Sequence, residues 1–369
     1  MNHRYDERRK RAQTMVREKN AEAAIVCPGP NLQYFTGLRG EPFDRYHALY
    51  LPADGDCALL SPDGYLSQAE AYADADDYLT IGPNDPDALA STIEMMSSDD
   101  TTTLLVDGCG LHTLSQALYQ RFSVEEIGPA DPIFRSLRRV KDDAEIQALR
   151  RSASVADAVS EEIRSLGSEA VGYTEAELAT EIRASLHARG AKGVSFDVVV
   201  GSGPNGADPA LRTSDRQIRS GEPVVVDFGC FLDGYASDQT RTVVFDGDPP
   251  ADFERAHEAT LNALEVGVVA VEPGMEAGEV DAAVRDKLSE YGLADRFTHG
   301  TGHGVGLASH ESLTIAEDEP TELEPGMVFS IEPGVYYEGE WGVRIEDLVV
   351  VTDSGAERLN GTPRTWKPL

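Results

Sequence analysis

Twice in this chain an acidic residue interrupts an apolar, strand-forming run, and each time a second acid stands at the same distance from the turn between them. The first case is EPVVVDFGCFLDGYASDQTRTVVF, read as strands 223–228 and 235–245 around a turn at Leu232-Asp233-Gly234. Asp227 and Asp238 are equidistant from the Leu232–Asp233 bond. The second case is GMVFSIEPGVYYEGEWGVRIEDLVVV, where Glu332 and Glu346 are equidistant from Gly339. Residues equidistant from a hairpin turn face each other, with Cβ atoms about 5 Å apart. Aspartate is disfavoured in apolar strands, and bare burial raises its pKa at a cost in free energy. Between the hairpins lies HGTGHGVGLASHE, which offers His299, His303 and His310. Its glycines let the backbone pass close to whatever lies beside it.

Four carboxylates facing one cavity cannot all stay ionised, because like charges at short range raise each other's pKa. Two divalent cations supply the missing positive charge. Carboxylate oxygens with one imidazole nitrogen suit Mn, Co, Fe or Zn better than a thiolate-loving metal. Two such ions about 3.5–4 Å apart would bridge a hydroxide and polarise a carbonyl, which is chemistry for amide hydrolysis. A single strand aspartate is commonly an edge residue or a hydrogen-bonded structural group. Two symmetric carboxylate pairs beside a glycine-flanked histidine are not explained that way.

The surrounding sequence has the order of a repeat. Helical stretches at 142–166 and 174–189 precede strand-rich sequence at 195–246, and helical stretches at 251–270 and 276–291 precede strand-rich sequence at 296–352. A helix pair followed by hairpins, occurring twice, predicts two stacked halves with a groove between them. Ahead of it, strands near 21–27, 46–51, 58–60 and 103–107 alternate with helical stretches at 4–19, 67–75 and up to 122. That alternation predicts a small layered α/β domain. The segment GPADPI at 128–133 reads as the boundary, dividing the chain into 1–132 and 133–369.

Composition excludes several classes. Asp plus Glu number 65 against 32 Lys plus Arg, a net charge of −33 that repels nucleic acid and anionic lipid. Lysine is scarce, six against 26 arginines, and dispersed acid with little lysine points to a protein that works in concentrated salt, where self-repulsion is screened. No run of 18 apolar residues offers a membrane span. The charged start MNHRYDERRKRAQ, with no apolar segment after it, argues against a secretory signal. Cys27, Cys57, Cys109 and Cys230 are too scattered for a disulfide framework and are read as buried, reduced thiols in a cytoplasm. His47, His112, His187 and His257 are read as structural or surface residues.

The order Asp, Asp, His, Glu, Glu, in VVVDFG, YASDQTRT, GTGHGVGL, SIEPGVY and VRIEDLVVV, resembles the pita-bread metallopeptidases, and among them the Xaa-Pro dipeptidases (prolidases) and Xaa-Pro aminopeptidases. The resemblance runs over nearly the whole chain. NLQYFTGLRG resembles the creatinase-type N-terminal domain and RRVKDDAEIQALRRSA the connecting helix. It implies an α/β (α+β) fold: a creatinase-like domain at 1–132, then a pita-bread catalytic domain at 133–369 with pseudo-twofold symmetry. It implies that Asp227, Asp238, His303, Glu332 and Glu346 hold two divalent metal ions, manganese favoured. Asp238 and Glu346 would bridge both ions, Asp227 would hold one, and His303 and Glu332 the other. Glu332 would also handle the proton of the attacking water. His310 would hydrogen-bond the substrate or tetrahedral intermediate, Arg344 would stand near the site, and Thr240 would support the ligands. The implied activity is cleavage after an N-terminal residue that precedes proline, by a homodimer.

Two positions depart from the family pattern. A family histidine after the proline of GPNGADPALR is Ala210 here, and loss of such an acid–base group costs about 10²–10⁴-fold in rate. Nearby Arg212 could donate a hydrogen bond but not a proton. Dipeptidases commonly carry HExPR, and this chain has HESLT, so Leu313 and Thr314 replace the proline and the carboxylate-anchoring arginine. These departures keep two alternatives open: a same-fold metalloenzyme acting on a small amide or other metabolite, and a peptidase-like binding protein without catalysis. Phe196 in GVSFDVVVG is a candidate for the substrate pocket or for the core.

Overall fold

The computed structural model describes residues 3–40, 46–98, 103–108, 112–121, 126–210 and 212–369. They form two compact units, Met1–Arg138 and Arg139–Leu369. In the first, a six-stranded mixed sheet has the spatial order Asp77–Thr80, Ala58–Ser61, Ala48–Pro52, Ala23–Val26, Thr103–Val106, Glu126–Pro129. Apolar strand residues such as Ile25, Leu60 and Leu104 pack against Leu89, Ile93 and Leu118 of the helices Pro86–Met96 and His112–Arg121. The stretch 128–133 has a defined local structure. It is the end of the edge strand Glu126–Pro129 running into the helix Asp131–Arg139, and Phe134 of that helix packs edge-on against Phe35 within the first unit.

The second unit repeats one plan. Helices Asp143–Arg164 and Glu175–Ala188 each open with a capping box, Asp142 with Glu145 and Thr174 with Glu177, which satisfies backbone N–H groups that a helix start leaves bare. Their Val159, Ile163, Leu178 and Ile182 pack on Val200, Val224, Val226 and Phe228 of the sheet Gln239–Val243, Val224–Phe228, Val199–Ser202. Helices Phe253–Ala270 and Ala277–Glu290 do the same with Leu264, Val280 and Val284 against Phe329, Ile331 and Val349 of a five-stranded sheet. Side chains alternate along a strand, so burying Val224, Val226 and Phe228 against helices turns Asp227 to the other face. The same alternation turns Ser330 away from the core that takes Phe329 and Ile331.

The first hairpin pairs in a different register from the expected one. Asp233 and Gly234 both have positive φ, 52° and 86°, and form a two-residue turn that pairs Leu232 with Tyr235. Asp227 therefore stands opposite Thr240, not Asp238. The expectation centred the turn one residue too early, which moves every partner by two. A shift of two keeps each side chain on its own face, so Asp227 and Asp238 remain on one side of the sheet. The second hairpin has the expected register: Ile331 pairs with Asp347 and Gly334 with Arg344, so Glu332 falls opposite Glu346. Both ladders break at this level, where the chain passes from one sheet to the next.

Candidate metal centre

The carboxylates gather at those breaks. Asp227 lies within Val224–Phe228, Asp238 just before Gln239–Val243, Glu332 just after Val328–Ile331 and Glu346 just before Asp347–Thr352. His303 is the middle residue of Gly302–Gly304. A Cβ on Gly302 would lie 1.8 Å from the Ser330 carbonyl, which is the close approach that its missing side chain permits. Backbone bonds join the segments: the Glu346 amide donates to the Thr240 carbonyl at 3.1 Å, and the Glu332 amide to the Thr301 carbonyl at 2.8 Å.

Asp238, His303 and Glu346 each offer a ligand atom, all within 4.8 Å of one another. His303 Nε2 also lies 3.4 Å from Glu332 Oε1 and 3.6 Å from Asp238 Oδ2. His303 Nδ1 faces the Gly304 carbonyl at 3.2 Å, which only accepts, so the proton sits on Nδ1 and the lone pair of Nε2 points to the carboxylates. Burial, and then the neighbouring carboxylates, hold Asp238 and Glu346 well above the ordinary carboxylate range. Burial pushes Glu332 up to about 7 against the pull of Arg344. Burial lowers the His303 imidazole, so it too favours the neutral, ligating form. Asp227 Oδ1 and Glu346 Oε1 are buried without a hydrogen-bond partner. A set of carboxylate oxygens with one imidazole nitrogen, strained by its own charge and with buried lone pairs unspent, fits divalent cations such as Mn, Co, Fe or Zn.

Other groups hold this set in place. Thr240 Oγ1 donates to Glu346 Oε2 at 2.7 Å, and Ser330 Oγ to Glu332 Oε1 at 3.1 Å. Arg344, 6% exposed, donates to Asp227 Oδ2 at 2.6 Å and to the Tyr336 hydroxyl at 3.1 Å. Tyr336 then donates to His299 Nε2 at 2.9 Å, whose Nδ1–H donates to the Gly300 carbonyl. His310 stacks on His303, ring centroids 3.7 Å apart and 17° from parallel. One helix of each pair anchors a loop beside the cavity. Buried Glu175 accepts from the amides and hydroxyls of Ser202 and Ser214 and from Asn205 Nδ2. Buried Asp281 accepts from the amide and hydroxyl of Thr301 and from Arg285.

The four carboxylates, His303, His310 and Arg344 line a cavity of about 520 Å³, with Phe196, Pro209, Ala210, His299 and Thr314 in its wall. Ala210 and Thr314 put no ionisable group there. Arg212 is exposed and is not among the described residues of that wall. Tyr336, Ser330, Glu175 and Asp281 escaped the sequence analysis. Each reads as ordinary helix or strand material, and only its hydrogen-bond partners mark it.

Residues 147–353 match metallopeptidase family M24 and residues 8–140 the creatinase/prolidase N-terminal domain. A probable dipeptidase PepE of Mycobacterium bovis is 40% identical over 345 residues, 92% of this chain and 90% of that protein. The crystal structure of a prolidase from Thermococcus sibiricus matches with a TM-score of 0.90 at 34% identity, over 99% of both chains. An Xaa-Pro dipeptidase from Bacillus anthracis matches with a TM-score of 0.90 at 29% identity, over 99% of this chain and 100% of that one. The chain thus belongs to metallopeptidase family M24, a hydrolase family whose catalytic domain here follows a creatinase/prolidase N-terminal domain.

Proposed function

We propose that this protein hydrolyses the peptide bond after the N-terminal residue of short Xaa-Pro peptides, using two divalent cations held by Asp227, Asp238, His303, Glu332 and Glu346. The observation that carries this is the convergence of four carboxylates and a tautomer-fixed imidazole on one cavity, with two carboxylate oxygens unpartnered. When bound, the cations supply Lewis acidity to the scissile carbonyl and acidify a water. The chain's own residues do the rest. Glu332 lies between His303 and Ser330, placed to take the water's proton and pass it to the leaving amine. His310, stacked on His303 at the cavity wall, donates to the carbonyl oxygen as charge develops there. Arg344 keeps Asp227 aimed inward through one oxygen and leaves the other for the cation.

The finer assignments belong to the same proposal. Manganese is the favoured metal, because oxygen donors dominate the set. The active form is a homodimer in the cytoplasm of a salt-adapted organism. Support for the last two points comes from the charge of −33 and from Cys27, Cys57 and Cys230, which are buried and not joined in disulfides; Cys109 lies outside the described residues. Release of the N-terminal residue from an Xaa-Pro dipeptide and an Xaa-Pro-Yaa tripeptide, in high salt with Mn or Co, tests the activity. Cleavage of either supports it, and the preferred length separates dipeptidase from aminopeptidase. No release across a panel of N-terminal residues, with metal bound, contradicts it. That result would favour hydrolysis of another small amide, for which the non-ionisable Ala210 and Thr314 in the wall speak.

A further inference from the structure

His310 has little of its own to hold it. It is exposed, its Nδ1 reaches only the Ser309 hydroxyl at 3.4 Å, and its other contact is the stack on His303. A ring that must meet a substrate carbonyl needs a fixed backbone beneath it. The next residue supplies one. The Glu311 side chain folds back over the loop before it, accepting from the Leu307 amide at 3.0 Å and the Ala308 amide at 3.4 Å. Gly306 makes room for this turn, since a Cβ there would lie 2.6 Å from Glu311 Oε1. The other oxygen, Oε2, accepts from Lys141 Nζ at 3.0 Å. The two side chains are 3% and 6% exposed. Lys141 is itself fixed: its amide donates to the Gly326 carbonyl at 2.9 Å, and Nζ also reaches the Arg139 carbonyl.

We propose that the buried Lys141–Glu311 ion pair positions His310, with Lys141 acting on the reaction through the loop 305–311 and not on the metal site. A solvent-exposed pair would contribute little, but a buried pair fixes geometry, and removing one partner leaves the other uncompensated. The device rests on the role given to His310 above.

The test combines kinetics with a readout that needs no activity. Lys141→Met and the near-isosteric Glu311→Gln are expected to lower kcat about 10²-fold, the cost of misplacing a reacting group by about 1 Å. KM and metal content stay unchanged, and Lys141→Arg retains most of the rate. In a His310→Ala background the same substitutions cost nothing further. In parallel, NMR of zinc-loaded, ¹³C-histidine-labelled protein follows His310. Its ring signal is expected to carry the upfield shift of the stack and to lose it in Lys141→Met and Glu311→Gln. Equal kinetic losses with and without His310, or an unmoved His310 signal in a folded variant, overturn the proposal. If the unsubstituted protein releases no N-terminal residue from either peptide, the peptidase assignment fails on its own, and the NMR arm alone decides the positioning role.

Discussion

Thr240 stands where the first hairpin meets the second, its hydroxyl on Glu346 and its carbonyl receiving the Glu346 amide. One small side chain thus orients a carboxylate supplied from the other half of the repeat. Groups that orient a metal ligand typically matter 10- to 100-fold in metal affinity or activity. Thr240→Val keeps the shape and removes the hydroxyl, so it is expected to weaken metal binding or turnover by about 10- to 100-fold without unfolding the chain. Titration of metal into the apo variant measures this, and an unchanged affinity with unchanged turnover would remove Thr240 from the site. The candidate ligands themselves were legible in the sequence, because a charged residue inside an apolar strand is conspicuous. Tyr336 was not, since a tyrosine in the run GVYY looks like ordinary strand material until its hydroxyl is seen between Arg344 and His299.

At the scale of the element, the hairpins show where sequence arithmetic works. Glu332 and Glu346 sit around a turn whose centre the pattern EGEWG marks, and the register follows. The first hairpin has two candidate centres one residue apart, and the positive φ of Asp233 and Gly234 selects between them. Backbone dihedrals of this kind are not visible in hydrophobic periodicity. The same hairpin depends on Gly229, opposite Asp238, where any Cβ would lie 1.7 Å from the Ser237 carbonyl. Gly229→Ala is therefore expected to destabilise the protein by more than about 4 kcal/mol, in the range reserved for severe backbone or packing conflicts. Urea denaturation reads this directly, and a native-like midpoint would show that the strand break can relax.

For the whole molecule, charge and buried histidine set the conditions of stability. With a net charge of −33, raising salt from about 0.1 to 1 M shortens the Debye length from about 10 to 3 Å and screens self-repulsion. The unfolding temperature is expected to rise over that range; a flat or falling curve would contradict salt adaptation. His257 is buried on Phe253–Ala270 with Nε2 unpartnered, and burial, with Arg164 nearby, lowers it from 6.5 to about 4. Its folded pKa lies below the unfolded one, so the unfolded chain takes up the proton first and stability is lost as pH falls from about 6.5 toward 4. Between pH 7 and pH 5 this amounts to about 2 kcal/mol, and His257→Gln is expected to flatten that part of the stability–pH curve. An equal slope in the variant would assign acid lability elsewhere. The two-halves plan was readable from helix and strand periodicity. The strand-to-helix corner at 128–133 was not, because proline and glycine punctuate a chain without saying what they join. The central claim, a site built for two cations, is tested most directly by counting metal. Protein refolded with excess Mn or Co in high salt, desalted and analysed by elemental mass spectrometry, is expected to carry about two ions per chain, the occupancy of a two-metal site, and Asp238→Asn clearly fewer. Fewer than about one ion per chain in the unsubstituted protein, or the same content in Asp238→Asn, would contradict the account.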